Sequence, residues 1–220
     1  MDHFPEIQLT FAEARVLGCL MEKEVLTPGA YPLTLNSLVT ACNQASSRHP
    51  VTSLTSTEVD EALRGLSENY LVEKNLGGRA AKYNHCVHDI LQMQSSEKAV
   101  LTVLLLRGQQ TAGEIKQRTE RMHNFHSLDE VEETLTWFIE YPHGPLVRRI
   151  PVGAGRRAET FVHLLAEDAF DAPESIPEGV LPHPTNGPSQ GDSELARWRV
   201  EIEERLEALE AELAELRAKQ

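Results

Sequence analysis

Apolar positions recur with a helical period in two successive stretches of matching layout. After Thr10, Ala14, Val16, Leu17, Leu20 and Met21 form one apolar face; after Ser95, Val100, Leu101, Leu104 and Leu105 form another. Each predicts a first helix, and Thr10 with Glu13 has the spacing of a capping box. Second helices are predicted from Thr34 and from Thr111, with Leu38 and Ile115 in corresponding places. The third helices match best. Val59, Ala62, Leu63 and Leu66 follow Thr55-Ser56-Thr57-Glu58, and Val131, Thr134, Leu135 and Phe138 follow Ser127-Leu128-Asp129-Glu130. Both sets run i, i+3, i+4, i+7, the core-facing stripe of an amphipathic helix.

A short β-prone pair follows each third helix. Leu71–Lys74 and Lys82–His85 flank Gly77-Gly78-Arg79, and residues 146–152 and 159–164 flank Gly153-Ala154-Gly155-Arg156-Arg157. Glycines supply the positive φ that hairpin turns need. Three helices and a hairpin, twice over, predict a mostly α chain with small β-hairpins (α+β), as two tandem winged-helix domains over 7–90 and 91–165. Residues 166–193 are rich in Pro and Gly with little periodicity, the composition of a linker. Over 194–219 the pattern becomes heptad-like: Leu195, Ile202, Leu209 and Leu216 recur every seven residues, and Leu206 and Leu213 lie between. That seam predicts a coiled-coil helix, with Arg205 facing Glu210 and Glu212 facing Arg217 in a parallel homodimer. The alternative is a helix folding back on its own body, with Trp198 in the contact.

Charge changes what these surfaces are suited to. The net charge is −13, which opposes association with nucleic acid. The acidity concentrates late, however: residues 166–220 carry fourteen acids against five bases. The three cysteines, Cys19, Cys42 and Cys86, are odd in number and lack a Cys-x-x-Cys pair, as expected of a reducing, cytoplasmic setting. No apolar run is long enough to span a membrane, and Met1–Glu6 has no signal-peptide character.

The segment Asn43-Gln44, Ser46-Ser47-Arg48 and Pro50 before Glu58-Val59, the run Leu71-Val72-Glu73-Lys74, the Gly77-Gly78-Arg79 turn and Lys82-Tyr83-Asn84-His85 together resemble the first unit of the YceH-type family. This is a bacterial family of tandem winged-helix proteins. The resemblance covers residues 7–165 and, by character, the final helix. It implies the fold and carries no catalytic residue.

In winged helices that read DNA the third helix enters the major groove. The first third-helix would offer Ser56, Thr57, Glu58, Asp60, Glu61 and Arg64, and the second Asp129, Glu130, Glu132, Glu133 and Thr136. Carboxylates in a first turn also complement the helix macrodipole, but four acids make the second a poor groove reader. The hairpins are basic, with Arg79 and Lys82 on the first and Arg148, Arg149, Arg156 and Arg157 on the second. Such turns suit phosphate contacts, or simply keep an edge strand soluble. Asn43, Gln44, Ser47 and Arg48 make a donor-rich loop, suited to a phosphate or to capping its own backbone.

His85-Cys86-Val87-His88 and His123-x-x-His126 hold ligand types without the spacing of a tetrahedral metal site. No nucleophile elbow, phosphate-binding loop or paired-carboxylate signature is present. We therefore expect a non-catalytic protein without metal or cofactor. The leading expectation is a DNA-associated dimeric regulator using the donor loop, Arg64 and the wings. The alternative is an interaction module docking a basic protein through acidic third helices. A third reading, a regulator with a small-molecule pocket between the two units, has no residue pattern of its own.

Overall fold

Reciprocal caps set where the helices begin. In the computed structural model, which describes residues 7–78, 80–153 and 158–166, the Thr10 hydroxyl accepts from the Glu13 amide at 3.2 Å. The Glu13 carboxylate accepts from the Thr10 amide at 2.7 Å, opening α1 (Phe11–Leu26). Thr55 with Glu58 and Thr111 with Glu114 repeat the box before α3 (Ser56–Glu68) and α6 (Ala112–Thr119). Thr34 caps α2 (Leu35–Cys42), accepting from the Ser37 amide. Ser127 caps α7 (Leu128–Ile139), although the Glu130 carboxylate turns to the His126 amide. For α5 (Ser95–Arg107) the cap is Gln94, one residue before the expected start, because Glu97 accepts from the Gln94 amide.

Both hairpins form. β2 (Val72–Asn75) and β3 (Lys82–His85) pair antiparallel, as do β4 (Val147–Ile150) and β5 (Thr160–His163). A two-residue strand, β1 (Leu33–Thr34), adds to the free edge of β3 through Leu33 opposite Tyr83, giving the order β1-β3-β2. A five-residue helix, α4 (Val87–Leu91), follows β3. The architecture is α+β, helices with two small antiparallel sheets.

Two helices organise the core. Residues 14–22 of α1 and 99–106 of α5 are buried without interruption, as expected of helices enclosed on every side. They pack on one another. α1 also packs on α2 and α3, while α5 packs on α6 and α7. One apolar cluster runs from Leu17 and Leu66 through Leu101 and Leu104 to Phe138 and Phe161. Gly18 sets the closeness of the central crossing, since a Cβ there would lie 2.9 Å from Leu106 Cδ2 and 3.1 Å from Leu105 Cβ. The Leu9 amide donates to the Leu165 carbonyl, joining the two ends of this body. Among the described residues no helix is long and apolar enough to cross a membrane.

Arg79, Arg156 and Arg157 of the hairpin turns lie outside the described residues. So does the helix expected over 194–219, with Leu195, Ile202, Leu206, Leu209, Leu213 and Leu216.

Candidate functional site

The loop joining α2 to α3 is where the sequence placed its richest set of donors, and the structure turns several of them inward. Arg48 is buried. Its Nη1 and Nη2 donate to the two carboxylate oxygens of Glu22 on α1 at 2.9 and 2.7 Å. Its Nε donates to the Ala41 carbonyl, Nη1 also to the Ser47 carbonyl, and Nη2 also to Gln44 Oε1. A guanidinium has five N–H donors, so Arg48 has none left for a phosphate. Burial alone would push the Glu22 carboxyl up; the Arg48 hydrogen bonds and charge outweigh it and hold that carboxyl below its usual range.

Asn43 is used in the same way. Its Nδ2 donates to the Leu54 carbonyl at 2.8 Å, and its Oδ1 accepts from the Leu54 amide and the Thr52 hydroxyl. Gln44 Oε1 accepts from Arg48 and from Lys23 Nζ. Ser47 remains exposed, with φ of 61°. From the other side Arg15 of α1, itself buried, donates to the Cys42, His49 and Pro50 carbonyls and to the Thr52 hydroxyl. The loop is staked by two buried arginines. Its side chains mostly satisfy their own backbone, the second of the two readings their composition allowed.

Arg64 projects from α3 but is held by Asp60 one turn earlier, Nη2 to Oδ2 at 2.6 Å. The exposed side of α3 therefore offers Glu61 and Glu68 more openly than its one arginine. On α7, Asp129, Glu132, Glu133 and Thr136 line an open concavity of about 390 Å³. No cation among the described residues pairs with those three acids. Further basic residues face solvent on the strands and, as Arg121, in the segment after α6. Lys82 is exposed on β3, and Arg148 and Arg149 on β4. The Arg149 guanidinium lies 5.4 Å from the Phe161 ring centre and 3.4 Å from Glu159.

A second polar cluster, unforeseen from the sequence, joins α1, β3 and α5. Glu24 Oε2 accepts from Lys98 Nζ at 2.7 Å and lies 3.2 Å from His85 Nε2. The His85 contact, more than Lys98, holds the Glu24 carboxyl far down, at about 2. His85, with its neighbour Cys86, had attracted attention as a ligand type. Here it is an inward-facing member of a polar network with Glu24 and Lys98, and no group of three or more His, Cys, Asp or Glu side chains among the described residues could hold a metal. Beside Lys98, a cavity of about 260 Å³ is lined by Val25, Met93, Ser95, Lys98, Ala99 and Met122.

Comparison with known proteins now places the chain. A family model described as a protein of unknown function, DUF480, matches residues 9–156. A UPF0502 protein of Geobacter sulfurreducens is 45% identical over 214 residues, covering 96% of this chain and 91% of its own. The chain belongs to the UPF0502, or YceH-type, family. Other UPF0502 members include one of Cellvibrio japonicus, 42% identical over 210 residues, and YceH of Salmonella paratyphi A, 39% identical over 216. These cover 96% of this chain and 91% and 93% of their own lengths. The match of UPF0502 proteins over nearly the whole length includes the staked loop, the central helices and the tail.

Arg15 and Glu22 were missed from the sequence as anchors of the loop. The signal was present, since both fall inside the apolar first helix, where a charge needs a buried partner. Nothing in the sequence pointed to Glu24 and Lys98, which are far apart in the chain and sit on positions that look like ordinary helix surface.

Proposed function

We propose that this UPF0502 protein works by binding and not by catalysis, as two winged-helix units over 7–90 and 91–165 that dock a basic segment of a protein partner on α7. The observation carrying this reading is the open concavity of Asp129, Glu132, Glu133 and Thr136, three carboxylates that no cation among the described residues pairs with. It occupies the helix that would otherwise read a major groove, where such charge repels phosphate. The loss of Arg48 to the interior and the pairing of Arg64 with Asp60 remove the cations that a groove-reading surface would need. Complementary charge would speed the encounter and make it salt-sensitive. The tail helix over 194–219 would pair two chains.

A second reading, a DNA-associated regulator, is favoured by one observation: Lys82, Arg148 and Arg149 face solvent on the wing strands. One titration separates the two. Labelled oligoarginine and a random-sequence duplex are each followed by fluorescence anisotropy from low to physiological salt. The docking reading expects peptide binding that E132K with E133K removes and that reversal of Lys82, Arg148 and Arg149 leaves intact. Duplex binding lost on the wing reversal, with no peptide binding, would replace it with the DNA reading.

A further inference from the structure

The cavity beside Lys98 has the make-up of a small-molecule site, and we propose that it binds a small, uncharged aromatic molecule bearing one hydrogen-bond acceptor, of the aromatic ketone class. This does not rest on the docking role of α7. The walls come from separate parts of the chain. Val25 is near the end of α1, Met93 precedes α5, Ser95, Lys98 and Ala99 are on the first turns of α5, and Met122 follows α6. A ligand here would touch both halves of the molecule at once. At about 260 Å³ the space is below the roughly 300–1,000 Å³ of pockets for drug-sized ligands, which sets the occupant at about a single substituted ring.

The lining decides the chemistry. Val25, Ala99 and the two methionines are apolar, and thioethers make favourable contacts with aromatic rings while adapting to their shape. Met93 and Ala99 are each only 2% exposed, whereas Val25 is 38% exposed and Ser95 is also exposed, so these two lie on the solvent side. Polar recognition is left to Lys98 and Ser95. The Lys98 ammonium uses one donor on Glu24 at 2.7 Å, and an ammonium has three. Because Glu24 already neutralises Lys98, an anionic ligand gains no net attraction and still loses hydration. A carbonyl can accept from the remaining donors at a much smaller desolvation cost. The Ser95 hydroxyl lies 3.0 Å from His123 Nδ1, next to Met122, so the rim is fastened across the gap between α5 and the segment after α6. His123 is in turn braced edge-on against Phe125, ring centres 4.6 Å apart.

The test uses the full chain with 13C-labelled methionine methyls. Four methionines are present, and Met21 lies in the core at 0% exposure as an internal reference. Acetophenone, benzoate and isopropylbenzene, similar in shape, are titrated to millimolar concentrations. The expected result is a saturable shift of the Met93 and Met122 methyls, with Met21 unmoved, and with acetophenone binding at least fivefold more tightly than either analogue. V25F, on the exposed side of the cavity, should abolish the shifts while leaving the Met21 resonance and the melting temperature in place. K98M should bring acetophenone to the level of isopropylbenzene. The proposal is overturned if acetophenone leaves Met93 and Met122 unshifted. It is overturned equally if V25F, still folded by the Met21 signal, does not reduce the shifts, or if benzoate binds best.

Discussion

Single residues in this chain hold conformations or charge states they would not choose alone. Tyr70 ends α3 with φ of 59°. Its amide donates to the Ser67 carbonyl and the Leu71 amide to the Leu66 carbonyl, the two bonds of a Schellman ending whose left-handed position usually belongs to glycine. The ring is 78% exposed and so gains little from burial. Y70G should therefore stabilise the protein by about 0.5–1 kcal/mol, relief of strain partly offset by the added chain entropy of glycine. Y70V should destabilise it, since a branched side chain tolerates that region worst. Urea unfolding midpoints of the three proteins give the order directly. His163 is a second case. Burial against the core lowers its pKa from 6.5 to about 4, and its Nδ1 has no hydrogen-bond partner among the described residues. The unfolded chain thus binds this proton near 6.5 while the folded chain resists it until about 4. Stability from this group is present above about 6.5 and lost as the pH falls to about 4, by a total of about 3 kcal/mol. H163F should remove that part of the acid sensitivity. The check is the difference in unfolding free energy between pH 7.5 and pH 4.5 in the two proteins.

At the scale of elements, what was legible followed local rules. The caps at Thr10, Thr34, Thr55, Thr111 and Ser127 stand where the sequence placed them, because a hydroxyl and an amide three residues on are a purely local pair. Both strand pairs stand where the β-prone runs placed them, although Gly77 and Gly78 do not take the positive φ expected of turn glycines. β1 was not legible: Leu33–Thr34 has no strand pattern and exists because the edge of β3 lies beside it. Nor was the direction of Arg48, since a polar loop hides which side chain turns inward until Glu22, on another helix, is placed opposite it. That pair carries an element-scale prediction. E22Q leaves a buried guanidinium without its countercharge and should cost about 3–5 kcal/mol. E22L with R48M removes both charges and should recover most of that loss, because the desolvation penalty disappears with the ions. Denaturant melts of single and double variants measure the coupling. A double variant as unstable as E22Q would mean that the Arg48 bonds to Ala41, Ser47 and Gln44, and not the ion pair, hold the loop.

For the whole molecule, the reach of the proposed docking face would depend on how many copies it carries. One α7 face with three acids binding a flexible basic segment is a weak contact by itself, since exposed ion pairs each contribute at most about 1 kcal/mol. If the heptad seam of Leu195, Ile202, Leu206, Leu209, Leu213 and Leu216 pairs two chains, two such faces become linked. A partner with two basic segments then gains through effective concentration, on the order of 10²-fold over either contact alone. Three heptads form a short coil, so pairing should depend on concentration and be visible in sedimentation velocity across the micromolar range. L206D with L213D places charges on the seam and should give a monomer at every concentration, with the unfolding of the 7–166 body unchanged. The same variant should bind a single oligoarginine segment as the parent does, and a tandem of two segments far more weakly. A parent that sediments as a monomer throughout would return the tail to the alternative in which it packs back on its own body. Equal loss of single- and tandem-segment binding in the seam variant would mean that the tail forms part of the docking face itself, and the charge reversal on α7 would then need repeating with the tail removed.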